Sequence, residues 1–334
     1  MSGTHHTTSD TTSDTTTDHT SGPAKRRMLR REIPGTVGLL ADPGDFAAMR
    51  RYGSFAFDDH QDYLRHVDDL LRSLAAQGIH TTVALFEPEA YADFCAEQRL
   101  DPDSPASRSR YTAELAGTGP GLPYTGRPIE EIVPLLMDEA VRQTTWEYAT
   151  TLLSDVGTCA DCGEDIGRSS FERAADVLTR LVRGAGPGHH HLVCSIPTQD
   201  QQLVAVLHTE TPPPPPGHPP VTVPGPDAPG GRGDSDATPW FDGRESLDFV
   251  TVLAAGLALG GPGGLVLRTT GADSGDRVHG WRLDRGRLVA LSAAAVFNAY
   301  CTDADTGEPV APEHGVEYCP GYEVDGPDPH HGPR

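Results

Sequence analysis

Thr36-Val37-Gly38-Leu39-Leu40-Ala41 and Ile79-His80-Thr81-Thr82-Val83-Ala84-Leu85-Phe86 decide how the N-terminal half of this chain is read. Each is a short, nearly continuous apolar run, the pattern of a strand buried on both faces. Asp42-Pro43-Gly44-Asp45 breaks the first run with turn-forming residues. Asp58 or Asp59 then caps a helix whose Tyr63, Leu64, Val67, Leu70, Leu71 and Leu74 share one face, and Gly78 ends it. Pro88 opens another helix through Ala90, Phe94 and Cys95. Strand, helix, strand, helix is a βαβ unit, which implies two parallel strands and a right-handed crossover. The expected fold class is therefore α/β, passing to α+β in the C-terminal half.

Beyond this unit a short helix is expected near Tyr111 and Leu115. Pro128 starts the longest helical pattern, which runs to about Ser154 with Met137, Ala140, Val141, Thr144, Tyr148 and Leu152 on one face. Pro134 either kinks it or forms its true first turn. Ser169 or Ser170 caps the next helix, with Phe171, Ala174, Ala175, Leu178, Leu181 and Val182 inward. The remainder reads as a mostly antiparallel sheet. Strands are expected over 190–196, 202–208 and 265–269, a helix over 246–259, a hairpin around Asp284-Arg285-Gly286 and a last helix over 293–300. Phe249 to Leu267 is uncharged and has the length of a bilayer span, but Gly260, Gly261, Pro262, Gly263 and Gly264 divide it into a buried helix, a turn and a buried strand.

The expected organisation is a disordered tail over 1–33, an α/β unit with the long helix over 34–157, and an α+β unit built from 158–210 and 244–301. The last is either separate from the α/β unit or continuous with it. A Pro/Gly-rich disordered insertion covers 211–243 and an irregular tail covers 302–334. The first 27 or so residues are mostly Thr, Ser, Asp and His and cannot offset their ordering entropy. The insertion carries five consecutive prolines, Pro212 to Pro216, which favour polyproline II and coil. Without these segments roughly 270 residues remain, enough to bury a sizeable core.

Asp and Glu number 48 against 26 Lys and Arg, and the formal net charge of the 334-residue chain is -22. Such a surface repels phosphate backbones and anionic lipid, so neither nucleic acid nor membrane is expected as a partner; cationic partners or metal ions are favoured. Lys25 is the only lysine. The basic run at Lys25-Arg26-Arg27 is followed by Glu32 and Pro34 rather than a long apolar segment, so no signal peptide is read and the expected location is cytoplasmic. In a reducing compartment the six cysteines are expected as thiols or metal ligands, not disulfides.

Two constellations carry chemistry. Cys159-Ala-Asp-Cys162-Gly163 has the spacing of a zinc knuckle, but it supplies only two of the four ligands a tetrahedral zinc needs. His191, Cys194, Cys301 and Cys319 are the candidate further ligands. Cys194 alternates with Leu192 and Ile196, the pattern of a buried thiol, and a preceding long helix argues against thioredoxin-like redox chemistry. The second constellation is acidic. Asp42 and Asp45 follow the first strand, and Glu87 and Glu89 follow the second. In a parallel sheet both pairs lie at the carboxyl ends, where ligands bind. The same residues are also ordinary turn and helix-start chemistry. Phosphate-binding glycine motifs, a GxSxG elbow and an HExxH helix are missing from the sequence.

The segments LADPGDFAAMRRYGSFAFDDH (40–60), CADCGEDIGR (159–168) and AVFNAYCTD (295–303) resemble uncharacterised cytoplasmic proteins of high-GC actinobacteria. That resemblance implies no particular activity. Two functional readings follow from the residues. The first is a binding or regulatory protein acting through an unknown protein partner, with a structural zinc at Cys159 and Cys162. The alternative is a small-molecule hydrolase or transferase using Asp42, Asp45 and Glu87.

Overall fold

The computed structural model describes residues 35–212, 240–241, 243–271, 275–303 and 306–324. The expected disordered tail over 1–33, most of the insertion over 211–243 and the end of the C-terminal tail lie outside the described residues. The fold is α/β, and the chain divides into two compact units, Met1–Ala140 and Val141–Arg334.

In the first unit, strands β1 (Gly35–Leu39) and β2 (Thr81–Leu85) pair in parallel from Gly35↔Thr81 to Leu39↔Leu85. The crossover contains helices α1 (Pro43–Met49) and α2 (His60–Ala76). Asp42-Pro43-Gly44-Asp45 is thus the start of a helix and not a simple turn: the Asp42 carboxylate accepts the Gly44 N–H at 2.6 Å and Pro43 occupies the first helical turn. Asp59 caps α2 by accepting the Asp62 N–H at 2.9 Å, and Gly78 follows it with a left-handed φ of 72°. Helix α3 (Pro88–Gln98) starts at its proline. The short helix expected near Tyr111 is the longer α4 (Pro105–Thr118), begun by a Ser104 cap and Pro105. Strand β3 (Gly121–Pro123), which no sequence pattern announced, adds antiparallel to β2. Leu39, Leu71, Val83 and Tyr91 are fully buried at the centre of this unit.

Helix α5 (Ile129–Asp155) continues through Pro134 for 27 residues. Its buried apolar side chains are Ile129, Ile132 and Leu136 in the first core and Ala149 in the second. Of the face expected from sequence, Ala140, Tyr148 and Leu152 pack against a core, but Met137 is 39 % and Val141 64 % exposed. Apolar residues lie on several sides of this helix, so periodicity alone does not single out the packed stripe. Because its two ends contribute to different cores, the units divide inside the helix, after Ala140, and not at residue 157.

The second unit is built on a sheet of β4 (Gly188–Pro197), β5 (Gln202–Thr211), β6 (Trp240–Phe241), β7 (Gly263–Thr270), β8 (Asp276–Asp284), β9 (Arg287–Ala290) and β10 (Val316–Tyr318). Its order is β10-β8-β7-β4-β5-β6, with β9 also on β8. Every pair is antiparallel except β10 with β8. Strand β10 and the buried Val324 come from the tail expected to be irregular, and β6 lies inside the expected insertion. Helices α6 (Ile166–Ala185) and α7 (Gly243–Leu259) supply Leu178, Leu181, Phe249 and Leu253 to a core shared with Leu192, Cys194, Leu207 and Leu267 of the sheet. The uncharged stretch 249–267 is α7, a turn and β7, as read from its glycines, and among the described residues no helix is long and apolar enough to cross a membrane. The β8–β9 hairpin turns through Arg285 and Gly286, both left-handed at φ 51° and 70°, the geometry that matches strand twist. Helix α8 (Ala293–Tyr300) is capped by Ser292.

Two features of this unit set its stability. Gly167, at the start of α6, packs so closely on α5 that a Cβ there would collide with the Leu153 carbonyl oxygen. Gly167→Ala is expected to cost about 1–3 kcal/mol, read as a lower urea midpoint at unchanged m-value. His190, on the core side of β4, is 2 % exposed; its ring nitrogens lie 3.0 Å from Thr269 Oγ1 and 3.2 Å from Thr211 Oγ1. Burial first, then the Arg277 and His189 charges, push its pKa down to about 4. The unfolded chain takes up this proton near pH 6.5, while the native state refuses it until about pH 4. Stability from this group is therefore complete above pH 6.5 and is lost as pH falls through that window, by about 3 kcal/mol at most. Denaturant titrations at pH 7 and 4.5 are expected to show a smaller acid loss for His190→Gln than for the parent chain.

Candidate functional site

The CxxC occupies the loop joining α5 to α6. An isolated bridge between Thr158 and Asp165 closes the loop, and Cys159 N–H donates to Glu164 O at 2.8 Å. Gly163, at φ 74°, takes the left-handed conformation and its N–H donates to Cys159 O at 2.8 Å. This turn aims amides at sulfur. The N–H groups of Cys162 and then Asp161 hold the Cys159 thiol below its usual pKa. Cys162 receives the Glu164 amide, which lowers its pKa, but its hydrogen bond to Cys159 and the charges of Cys159 and Glu164 outweigh that and leave it raised. Cys162 is exposed and Cys159 half-buried.

The candidate partner ligands are not gathered round this loop. His191 and Cys194 lie on opposite faces of β4, so they cannot join one ion: Cys194 is wholly buried under the helices and its thiol is pushed up to about 12 by burial, whereas His191 faces outward. Cys301 is buried with its thiol 3.6 Å from the Tyr318 hydroxyl. Cys319 follows β10, its N–H bonded to Val278 O at 2.8 Å. Among the described residues no group of three or more His, Cys, Asp or Glu is arranged to hold a metal ion. The two knuckle thiols suit zinc as half of a ligand set.

The acids at the carboxyl ends of β1 and β2 are partly brought together. Asp42 is engaged as the α1 cap. Asp45 has its pKa raised by burial and by the neighbouring charges of Asp42 and Glu89. Glu87 caps α3 without a side-chain hydrogen bond, and its charge helps burial raise Tyr111 to about 12. Asp45 thus feels the charges of Asp42 and Glu89, while the charge of Glu87 acts on Tyr111.

A third feature was not singled out as a site by sequence. The outward face of the second sheet bears two cross-strand rows over β5, β4 and β7: Glu210–His189–Thr270 and His208–His191–Arg268. They line an open recess of about 340 Å³. The His191 and His208 rings stack with centroids 4.7 Å apart. Glu245 accepts the backbone N–H of His208 at 2.9 Å and lies 3.3 Å from its Nδ1, which leaves Nε2 as the free ring position. Arg268 is held by Asp276 at 2.6 Å and Glu313 at 2.9 Å. His191 is kept easier to deprotonate by burial first, then by His208 and Arg268. The adjoining row is Val206–Val193–Val266, and Val204 and Val206 are 45 % and 38 % exposed. The run His189-His190-His191 was visible, with its alternation, but the partners His208 and Arg268 follow only from strand register.

A family model described as a domain of unknown function (DUF8829) matches residues 24–127, which cover β1 to β3. No curated protein and no solved structure matches the chain.

Proposed function

We propose that the protein is a binding protein that engages a basic polypeptide segment on the outward face of its second sheet. The observation that carries this reading is the His-lined recess beside exposed Val204 and Val206. Exposed apolar side chains next to a polar recess fit a protein contact, with an apolar strip for burial and polar groups for orientation. The recess is lined by one carboxylate, Glu210, one arginine, Arg268, and four histidines. Arg268 is already paired with two carboxylates, while the exposed Glu210, 3.8 Å from His189 Nδ1, and the His191 ring offer acceptor atoms to a Lys or Arg side chain. The net charge of -22 draws cationic partners to the chain as a whole.

Peptide display against the full chain tests this. Selected peptides are expected to carry Lys or Arg and to lose about tenfold in affinity, roughly 1.4 kcal/mol, on Glu210→Gln or Val206→Asp. Binders without basic residues, or binders indifferent to both substitutions, refute the reading.

The hydrolase or transferase alternative draws on the acids that follow β1 and β2, where burial first and then the charges of Asp42 and Glu89 raise the Asp45 pKa. Turnover of ester or phosphoester substrates that disappears in Asp45→Asn, with the fold intact by circular dichroism, would favour it.

A further inference from the structure

We propose that Cys159 and Cys162 are half of a metal site completed by a second copy of this chain, so that one zinc ion, bound by four thiolates, bridges two molecules through their α5–α6 loops. Three observations converge on this. First, the loop is built as a closed turn that carries both thiols. Its hairpin bonds, Cys159 N–H to Glu164 O and Gly163 N–H to Cys159 O at 2.8 Å each, fix both cysteines on one turn, with Gly163 left-handed at φ 74°. Second, the loop is open to solvent. Residues 160–165, which join helices of 27 and 20 residues, are all exposed. Third, the remaining described thiols are committed elsewhere. Cys194 and Cys95 are buried in the two cores, Cys301 is buried against Tyr318, and Cys319 is fixed next to β10. A tetrahedral zinc needs four ligands at about 2.0–2.3 Å, and a two-residue spacing supplies two of them to one ion. A second knuckle supplies the others.

Binding balances without an oxidant. Four thiols from two chains release four protons, and the Zn²⁺ with four thiolates carries a net charge of minus two. The charge pattern makes the bridge depend on the metal. Asp161, Glu164 and Asp165 flank the thiols in sequence, and each chain carries -22, so two loops without a cation repel each other. The bridge is independent of the recess on the outward sheet face, and either proposal can fail alone.

The test uses the full chain, reduced and free of chelator, titrated with zinc sulfate and followed by native mass spectrometry and light scattering. The expected result is half an equivalent of zinc per chain with a doubling of mass, reversed by EDTA. Cobalt in place of zinc is expected to show thiolate charge-transfer absorption. The double variant Cys159→Ser/Cys162→Ser is expected to stay monomeric and bind no zinc, with an unchanged circular dichroism spectrum. Cys319→Ser, which alters a thiol outside the knuckle, is expected to dimerise normally. The proposal is overturned by one zinc per monomer, by a dimer that survives EDTA, by zinc binding no tighter than in the double variant, or by loss of the dimer in Cys319→Ser.

Discussion

Strand β4 is paired along both edges, with β5 on one side and β7 on the other, and alternation along it governs what the second unit can do. His190, Leu192, Cys194 and Ile196 must point one way, and His189, His191, Val193 and Ser195 the other. The first set meets α6 and α7 and closes the core. The second set is left to form a surface, and pairing on both edges extends each of its residues into a row. A buried thiol, a satisfied buried histidine and a histidine-lined recess are three consequences of one periodicity.

The same constraint decides the chemistry of the cysteines. Cys194 is bound to the core by its place in the alternation, and there its thiol resists ionisation. Cys159 and Cys162 escape this because they sit in a turn between helices, where no sheet dictates their direction and backbone amides are free to face sulfur. The recess and the knuckle are thus placed by opposite circumstances. One depends on strict cross-strand register; the other depends on an interruption of regular structure that a left-handed glycine makes affordable.

Charge connects the two. With Asp and Glu at 48 against 26 Lys and Arg, carboxylates are in excess, and Arg268 is held by two of them, Asp276 and Glu313. What remains available for ligands is acceptor capacity: imidazole nitrogen, carboxylate oxygen and thiolate sulfur. Each suits a cation, whether a basic side chain or a divalent metal ion.

Local grammar was legible in the chain itself. The apolar runs that became β1 and β2, the Asp59 cap, the stop at Gly78, the helix start at Pro88, the turn at Arg285-Gly286 and the Gly/Pro break within 249–267 all rest on constraints acting over a few residues. Partnership over distance was not. Strands β3 and β10 are three residues each and exist because a neighbour offers them hydrogen bonds; the packed stripe of α5 is chosen by two different cores; and Asp45 meets Glu89 only because β1 and β2 lie side by side. By itself the sequence determined the α/β class, the position of most elements and the presence of a two-thiol knuckle, since these follow from periodicity and turn chemistry. Only the tertiary structure decided that His191 stacks on His208 above Arg268 and that Cys194 is shut away from His191. Strand register and the choice of buried face are properties of paired segments, and no segment carries them alone.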